Sequence, residues 1–307
     1  MTVVSPPAPP NHDDPGAWIL ARAVSGRRRF TNTLATSWMI GSLLFALVPV
    51  VVIAVYVVSR GAAVMSLDFL TKNLQIVTQF PGGGIAPAIV GTLVITGVAA
   101  LLAVPLGVLA AVYLNEYGRQ SRTAKVIRFM ADVMTGVPSI VMGLFIATIW
   151  VSSGLHFGYS GFAGSLALGA LMLPIVIRSS EEMLKLVPND LRQASDALGA
   201  RRWRTVVSIV LPAALPGIVS GAMLAIARAA GETAPLLLTI GTTSLINSNP
   251  FTGTNTTLSK VIWDNAQTPF AAATDRAWGA ALTLIVIVFV FTVVARVVSS
   301  RFASIKR

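Results

Sequence analysis

Apolar runs of roughly the 20 residues needed to cross a bilayer recur along the chain, separated by short polar connections. They fall at about 35–58, 86–114, 129–151, 161–178, from 206 into the 230s, and 278–298. Before the first lies a proline-rich start, SPPAPPNHDDPG, and a basic patch of Arg22 and Arg27 to Arg29. Residues 1–34 therefore read as a largely disordered, basic tail. A cleavable signal peptide would place its apolar core closer to the start, so the run beginning near Leu34 is expected to stay in the membrane and to act as the targeting signal. The segment 59–85 is polar and carries Pro81 and the Gly82-Gly83-Gly84 turn. No Gly-Lys-Ser/Thr follows, which excludes a phosphate-loop reading. The threonine- and asparagine-rich region 241–277 contains LSKVIWDNAQ, suited to a short interfacial helix.

Composition agrees with the pattern. Of the residues 54% are hydrophobic and 11% charged, with a mean hydropathy of +0.76, whereas soluble domains carry about 25% charged residues. The reading is an all-α integral membrane protein of six transmembrane helices: a permease domain over 35–300 and a short tail at 301–307. The net charge of +11 sits beside apolar runs with no aromatic interleaving, which points to membrane lipids and not to nucleic acid. A six-span reading puts 18 of the 23 Lys and Arg on one side, including Arg119, Arg122, Lys125 and Arg128, and Arg178, Lys185, Arg192, Arg201, Arg202 and Arg204. The positive-inside rule then makes both termini cytoplasmic. There is no cysteine, and His12 and His156 are isolated, so no metal site is expected.

The 186–212 loop is the most specific stretch. Pro188 opens a short polar helix that Asn189 or Asp190 can cap, and Leu191, Ala194, Ala197 and Leu198 form a small apolar stripe on it. Gly199 can end it in a left-handed conformation. Gln193-Ala194-Ser195, three residues, Gly199, nine residues, then Ile209, Leu211 and Pro212 reproduce the spacing E-A-A, x3, G, x9, I-x-L-P. That loop marks the membrane subunits of ABC importers, and the segment resembles it closely. Gln193 replaces the glutamate and Ser195 the second alanine.

Two arginines are hemmed in by apolar sequence. Arg228 lies in AMLAIARAAGETAPLLLTI, and Arg178 ends LGALMLPIVIR. A charge inside a membrane helix costs a few kcal/mol or more and usually faces a cavity, a partner or an ion path. Glu232 follows Arg228 by one turn and is expected on the same helix face. Arginine suits tetrahedral oxyanions, because its planar fork bonds them bidentately and stays charged. Arg178 also suits an interfacial anchor, and Arg228 with Glu232 an ion pair at an outer helix end. Ser139 in the third run offers a hydroxyl to an anion or, beside Pro138, belongs to a helix kink. Gly217 and Gly221 form a GxxxG that can bring helices close.

The segments GVPSIVMGLF (137–146), LPIVIRSSEEMLKLVPNDLRQASDALGA (173–200) and ARAAGETAPLLLTIG (227–241) resemble the PstA-type permeases of phosphate ABC importers over about 80–300. The resemblance implies a type I importer fold with a cytoplasmic coupling helix, in the bacterial cytoplasmic membrane. Arg178, Arg228 and Glu232 would serve inorganic phosphate. Expected partners are a PstC-type permease, two PstB-type ATPases and a PstS-type phosphate-binding protein. ATP and Mg would be bound by the ATPase, for this chain has no Walker lysine motif and no enzymatic role or cofactor of its own is expected. A sulfate or molybdate permease and a scaffold signalling phosphate status are the alternative readings.

Overall fold

The computed structural model describes residues 26–152 and 157–304. Most of the proline-rich tail, His12, His156 and the last three residues lie outside them. The described residues form helices and loops without a strand. They are α1 (Gly26–Val64), α2 (Leu67–Thr71), α3 (Ala86–Val112), α4 (Arg122–Gly136), α5 (Ser139–Ile146), α6 (Gly161–Lys185), α7 (Asn189–Ala197), α8 (Arg202–Thr205), α9 (Leu211–Gly231), α10 (Ala234–Thr239), α11 (Leu258–Ala266) and α12 (Ala271–Ser304). π-helical turns extend α3 at Tyr113–Tyr117 and α5 at Ala147–Ser152, and join α8 to α9 at Val206–Val210. Among the described residues five helices are long and apolar enough to cross a membrane, and α4 with α5 makes a sixth crossing if the bent pair is one span.

The chain divides at Tyr56. The first unit is the N-terminal part of α1, which starts nine residues before the apolar run begins. Its apolar side chains, such as Phe30, Trp38 and Phe45, are exposed, as suits a helix whose solvent is lipid. The second unit holds the core. There α3 packs along α6, and α6 along α9, around Ile95, Leu168, Met172, Val176, Ala225 and Ile240.

Small residues permit that packing. A Cβ on Gly217 would meet Met183 Sδ at 2.2 Å, one on Gly221 would meet Ser179 Oγ at 2.4 Å, and one on Gly107 would meet Val176 Cγ1 at 2.7 Å. The GxxxG thus seats α9 on α6 within this chain. It also fixes an antiparallel register: Gly217 lies on Met183 and Gly221 on Ser179, four residues on in each helix.

The third run is not one straight helix. α4 and α5 meet at 106°, because Pro138 has no amide to donate and drives its predecessor out of the helical region. Val137 is extended at φ −71°, ψ 127°. The polar connection after the second run is largely helical too, since Arg122, Lys125 and Arg128 belong to α4. Farther on, Pro212 and Pro216 sit inside one continuous helical rod, Arg202–Gly231. The π turn at 206–210 widens the backbone just where the Pro212 ring approaches the preceding turn.

Candidate functional site: an arginine cavity and a coupling loop

A cavity of about 230 Å³ opens where the break between α4 and α5 faces α6 and α9. Met134, Thr135, Pro138 and Ser139 wall it on one side, Met172 and Pro174 on another, and Ala225, Arg228 and Glu232 on the third. Three of the side chains singled out in the sequence, Ser139, Arg228 and Glu232, therefore meet in one place. The α6–α9 register continued from Gly221 sets Arg228 beside Met172, close to the midpoint of the 25-residue α6. Arg228 is also in the last turn of α9, so its pair with Glu232 stands at a helix end, as the ion-pair alternative supposes.

Glu232 is not on the helix face expected of it. α9 ends at Gly231, and Glu232 is extended at φ −70°, ψ 131°. Its carboxylate still reaches back, with Oε1 3.5 Å from Arg228 Nε. The Arg228 side chain is 68% exposed and Glu232 22%, so the guanidinium keeps most of its donors free for a ligand. The N-terminal end of α5, at Pro138 and Ser139, lies at the same wall and adds the partial positive charge of a helix start. A cationic fork, a hydroxyl and a helix N-terminus, set here in a partly apolar recess, are groups with which proteins hold oxyanions.

Arg178 does not line this cavity. It stands one turn along α6 from Pro174 and Ile175 and pairs with Asp132 of α4. Its other partner is Glu181, with Nη1 to Oε2 at 3.6 Å. Glu181 is 1% exposed and gathers Arg128 and Lys185, each at 2.9 Å. Arg128 also donates to the Leu114 carbonyl at 2.9 Å. The node joins α4, α6 and the π turn after α3.

The motif loop forms α7, and Gly199 closes it at φ +73°, with its amide donating to the Asp196 carbonyl at 2.9 Å. A β-branched residue at this left-handed position costs about 1–2 kcal/mol, although no atom would meet its Cβ. Gly199→Val is expected to fray the end of α7 and lower uptake per ATP hydrolysed while the assembled complex retains its ATPase activity. Equal coupling ratios in variant and wild type would show that the turn is dispensable. Ser195 is buried and shares a 2.8 Å hydrogen bond with Thr205, so the residue that departs from the alanine of the pattern holds α7 onto the rod. Ile209, Leu211 and Pro212 are half-buried at the start of that rod, whereas Gln193 and Ala194 are exposed. The apolar stripe also faces away from the chain: Leu191 is 43% and Leu198 88% exposed.

One connection was not anticipated. Arg192 Nη2 lies 2.8 Å from Glu116 Oε1, and the same guanidinium donates to the carbonyls of Val187 at 2.7 Å and Leu184 at 2.9 Å. Both side chains are largely buried, at 13% and 4% exposure, and Asn115 Nδ2 donates to Glu116 at 2.8 Å. The base of α7 is thereby tied to the ends of α3 and α6. The available signal was Glu116 itself, one of only 12 acidic residues, at the end of an apolar run. A carboxylate there needs a cation.

Residues 103–304 match the family described as binding-protein-dependent transport system inner membrane component. The chain is similar to the phosphate transport system permease protein PstA 1 of Mycobacterium tuberculosis H37Rv, 45% identical over 297 residues, 96% of this chain and 95% of that one. It is 47% identical to PstA of Mycobacterium leprae over 278 residues, covering 90% and 91%. PstA of Yersinia pestis is 42% identical over 279 residues, covering 89% and 92%. Among solved structures, a bacterial ABC transporter involved in alginate import aligns with a TM-score of 0.61, covering 89% and 99% at 17% identity. The methionine transporter MetNI in an inward-facing form gives 0.56, covering 71% and 94%, also at 17% identity. These two share the fold, that of a type I ABC importer permease.

Proposed function

We propose that this chain, which belongs to the binding-protein-dependent transport system inner membrane components and within them to the PstA-type permeases, forms one half of the membrane path of an ATP-driven phosphate importer. The observation that carries the reading is the cavity holding Arg228, Glu232 and Ser139 at the depth of the middle of α6. Its open side and the exposed guanidinium suit closure by a second, related permease of the PstC type. Arg228 binds the phosphate dianion through two donors, Ser139 adds a hydroxyl, and Glu232 keeps the guanidinium oriented when the site is empty.

The α7 loop is the contact to the ATPase. Its outward stripe of Leu191, Ala194 and Leu198 is exposed apolar surface among the described residues, and it fits a cleft in a PstB-type subunit. Two such subunits bind ATP and Mg and perform the hydrolysis; this chain contributes movement. Closure of the ATPases pushes α7. Three ties carry the push inward: Ser195–Thr205 to the rod of α8 and α9, Arg192–Glu116 to α3, and the Arg192 bonds to the carbonyls that end α6. The loop lies in the cytoplasm, as do both termini, and a PstS-type binding protein delivers phosphate at the other face.

Reconstituted vesicles with ATP inside and labelled phosphate outside test the substrate, with sulfate and molybdate as competitors. Uptake that needs ATP and resists both is expected. Competition by either through the binding protein would keep the oxyanion path and change its cargo.

A further inference from the structure

We propose that Asp132 is a built-in competitor for the transported anion, holding Arg178 just beyond the Arg228 cavity until the anion displaces it. The proposal rests on the permease reading above. The two helices that wall the cavity also carry the pair. Pro174 and Ile175 line the cavity and precede Arg178 by four and three residues, so Arg178 sits on the same face of α6 one turn on. On α4, Thr135 lines the cavity and Asp132 precedes it by three residues. The α6–α9 register puts Arg178 six residues from the level of Arg228, about 9 Å at the helical rise, toward the Lys185 end that faces the cytoplasm in the proposed topology.

The charges around Arg178 single out Asp132 as the exchangeable partner. Glu181 is buried, and its Oε1 is held at 2.9 Å by both Arg128 and Lys185. Arg178 reaches only its Oε2, at 3.6 Å. Asp132 in contrast is 56% exposed and Arg178 33%, so water and anions reach both. Three cations face two carboxylates while the pair is closed. With Asp132 swung away, the node has two uncompensated positive charges, and Arg178 has a free fork. A half-exposed ion pair of this kind is weak, which suits a contact that a phosphate dianion must replace at every cycle. Asp132 is exposed enough to turn away by rotation of its own side chain, while Arg128 keeps α4 anchored on Glu181 and the Leu114 carbonyl.

The test is equilibrium binding of labelled phosphate to the assembled complex without ATP or binding protein, with ATP-driven uptake measured on the same preparation. Asp132→Asn is expected to bind roughly fivefold more tightly, the scale of a half-exposed ion pair, and to exchange phosphate across vesicles without ATP. Asp132→Glu stays close to wild type, and Asp132→Asn with Arg178→Gln loses the gain. Unchanged affinity and exchange in Asp132→Asn, in a complex that still imports phosphate, would show the pair to be structural and overturn the proposal. If wild-type complex imports sulfate in place of phosphate, the substrate is reassigned, and the same variants with sulfate decide the latch. If it imports neither, the pathway reading falls, and the latch with it.

Discussion

Vesicles carrying Arg228→Ala are expected to take up phosphate at least about a hundredfold more slowly than wild type, the effect of removing one member of a charged, bidentate contact. The complex should still assemble. Arg228 is exposed and bonded only at 3.5 Å to Glu232, so folding loses little when it goes. Glu232 is then left beside the path without its cation and repels the anion, which adds to the loss. Arg228→Lys keeps the charge but not the fork and should fall between the two. Assembly is read by co-purification of the partner subunits, and transport by labelled uptake. A variant that assembles and transports normally would make Arg228 structural and move the site elsewhere.

The second large effect concerns Arg192. Replacing it with leucine leaves the Glu116 carboxylate buried with Asn115 as its remaining partner, and breaking a buried pair costs about 3–5 kcal/mol. It also frees the ends of α3 and α6 from α7. The expected result is a complex that hydrolyses ATP but transports little, together with a lowered melting temperature. Glu116→Gln is milder, because the Leu184 and Val187 carbonyls still hold the guanidinium. Arg192→Leu with Glu116→Leu removes both charges, so stability returns while coupling does not. Recovery of coupling in that double variant would show that the tie serves folding alone.

Local signals in the sequence account for much of this arrangement. The apolar runs place α3 and the start of α6 closely, whereas α6 runs seven residues past its run and α12 starts seven before its own; the loop spacing places α7 and the turn at Gly199. Arg228 stood out because a charge amid Ala, Leu and Ile has few bland explanations. The rest depends on contacts between distant segments. A lone proline in an apolar run is compatible with a kink or with a break, and Pro138 makes the sharper choice because Val137 beside it leaves the helical region. After Gly231 the chain also leaves the helix, with Glu232 extended, but there without a proline beside it. Glu116 and Arg192 are 76 residues apart, and no local period relates them. The stripe on α7 was visible, but not its direction; that was decided by Ser195, whose hydroxyl turned inward to Thr205 and left Leu198 outside.

The most direct measurement is a structure of the assembled complex with arsenate in place of phosphate, located by its anomalous scattering. The expected peak lies within hydrogen-bond reach of the Arg228 guanidinium, roughly 2.7–2.9 Å from its nitrogens, with Ser139 on the same anion. A peak held by the partner permease alone, with Arg228 still turned to Glu232, would contradict the oxyanion path through this cavity.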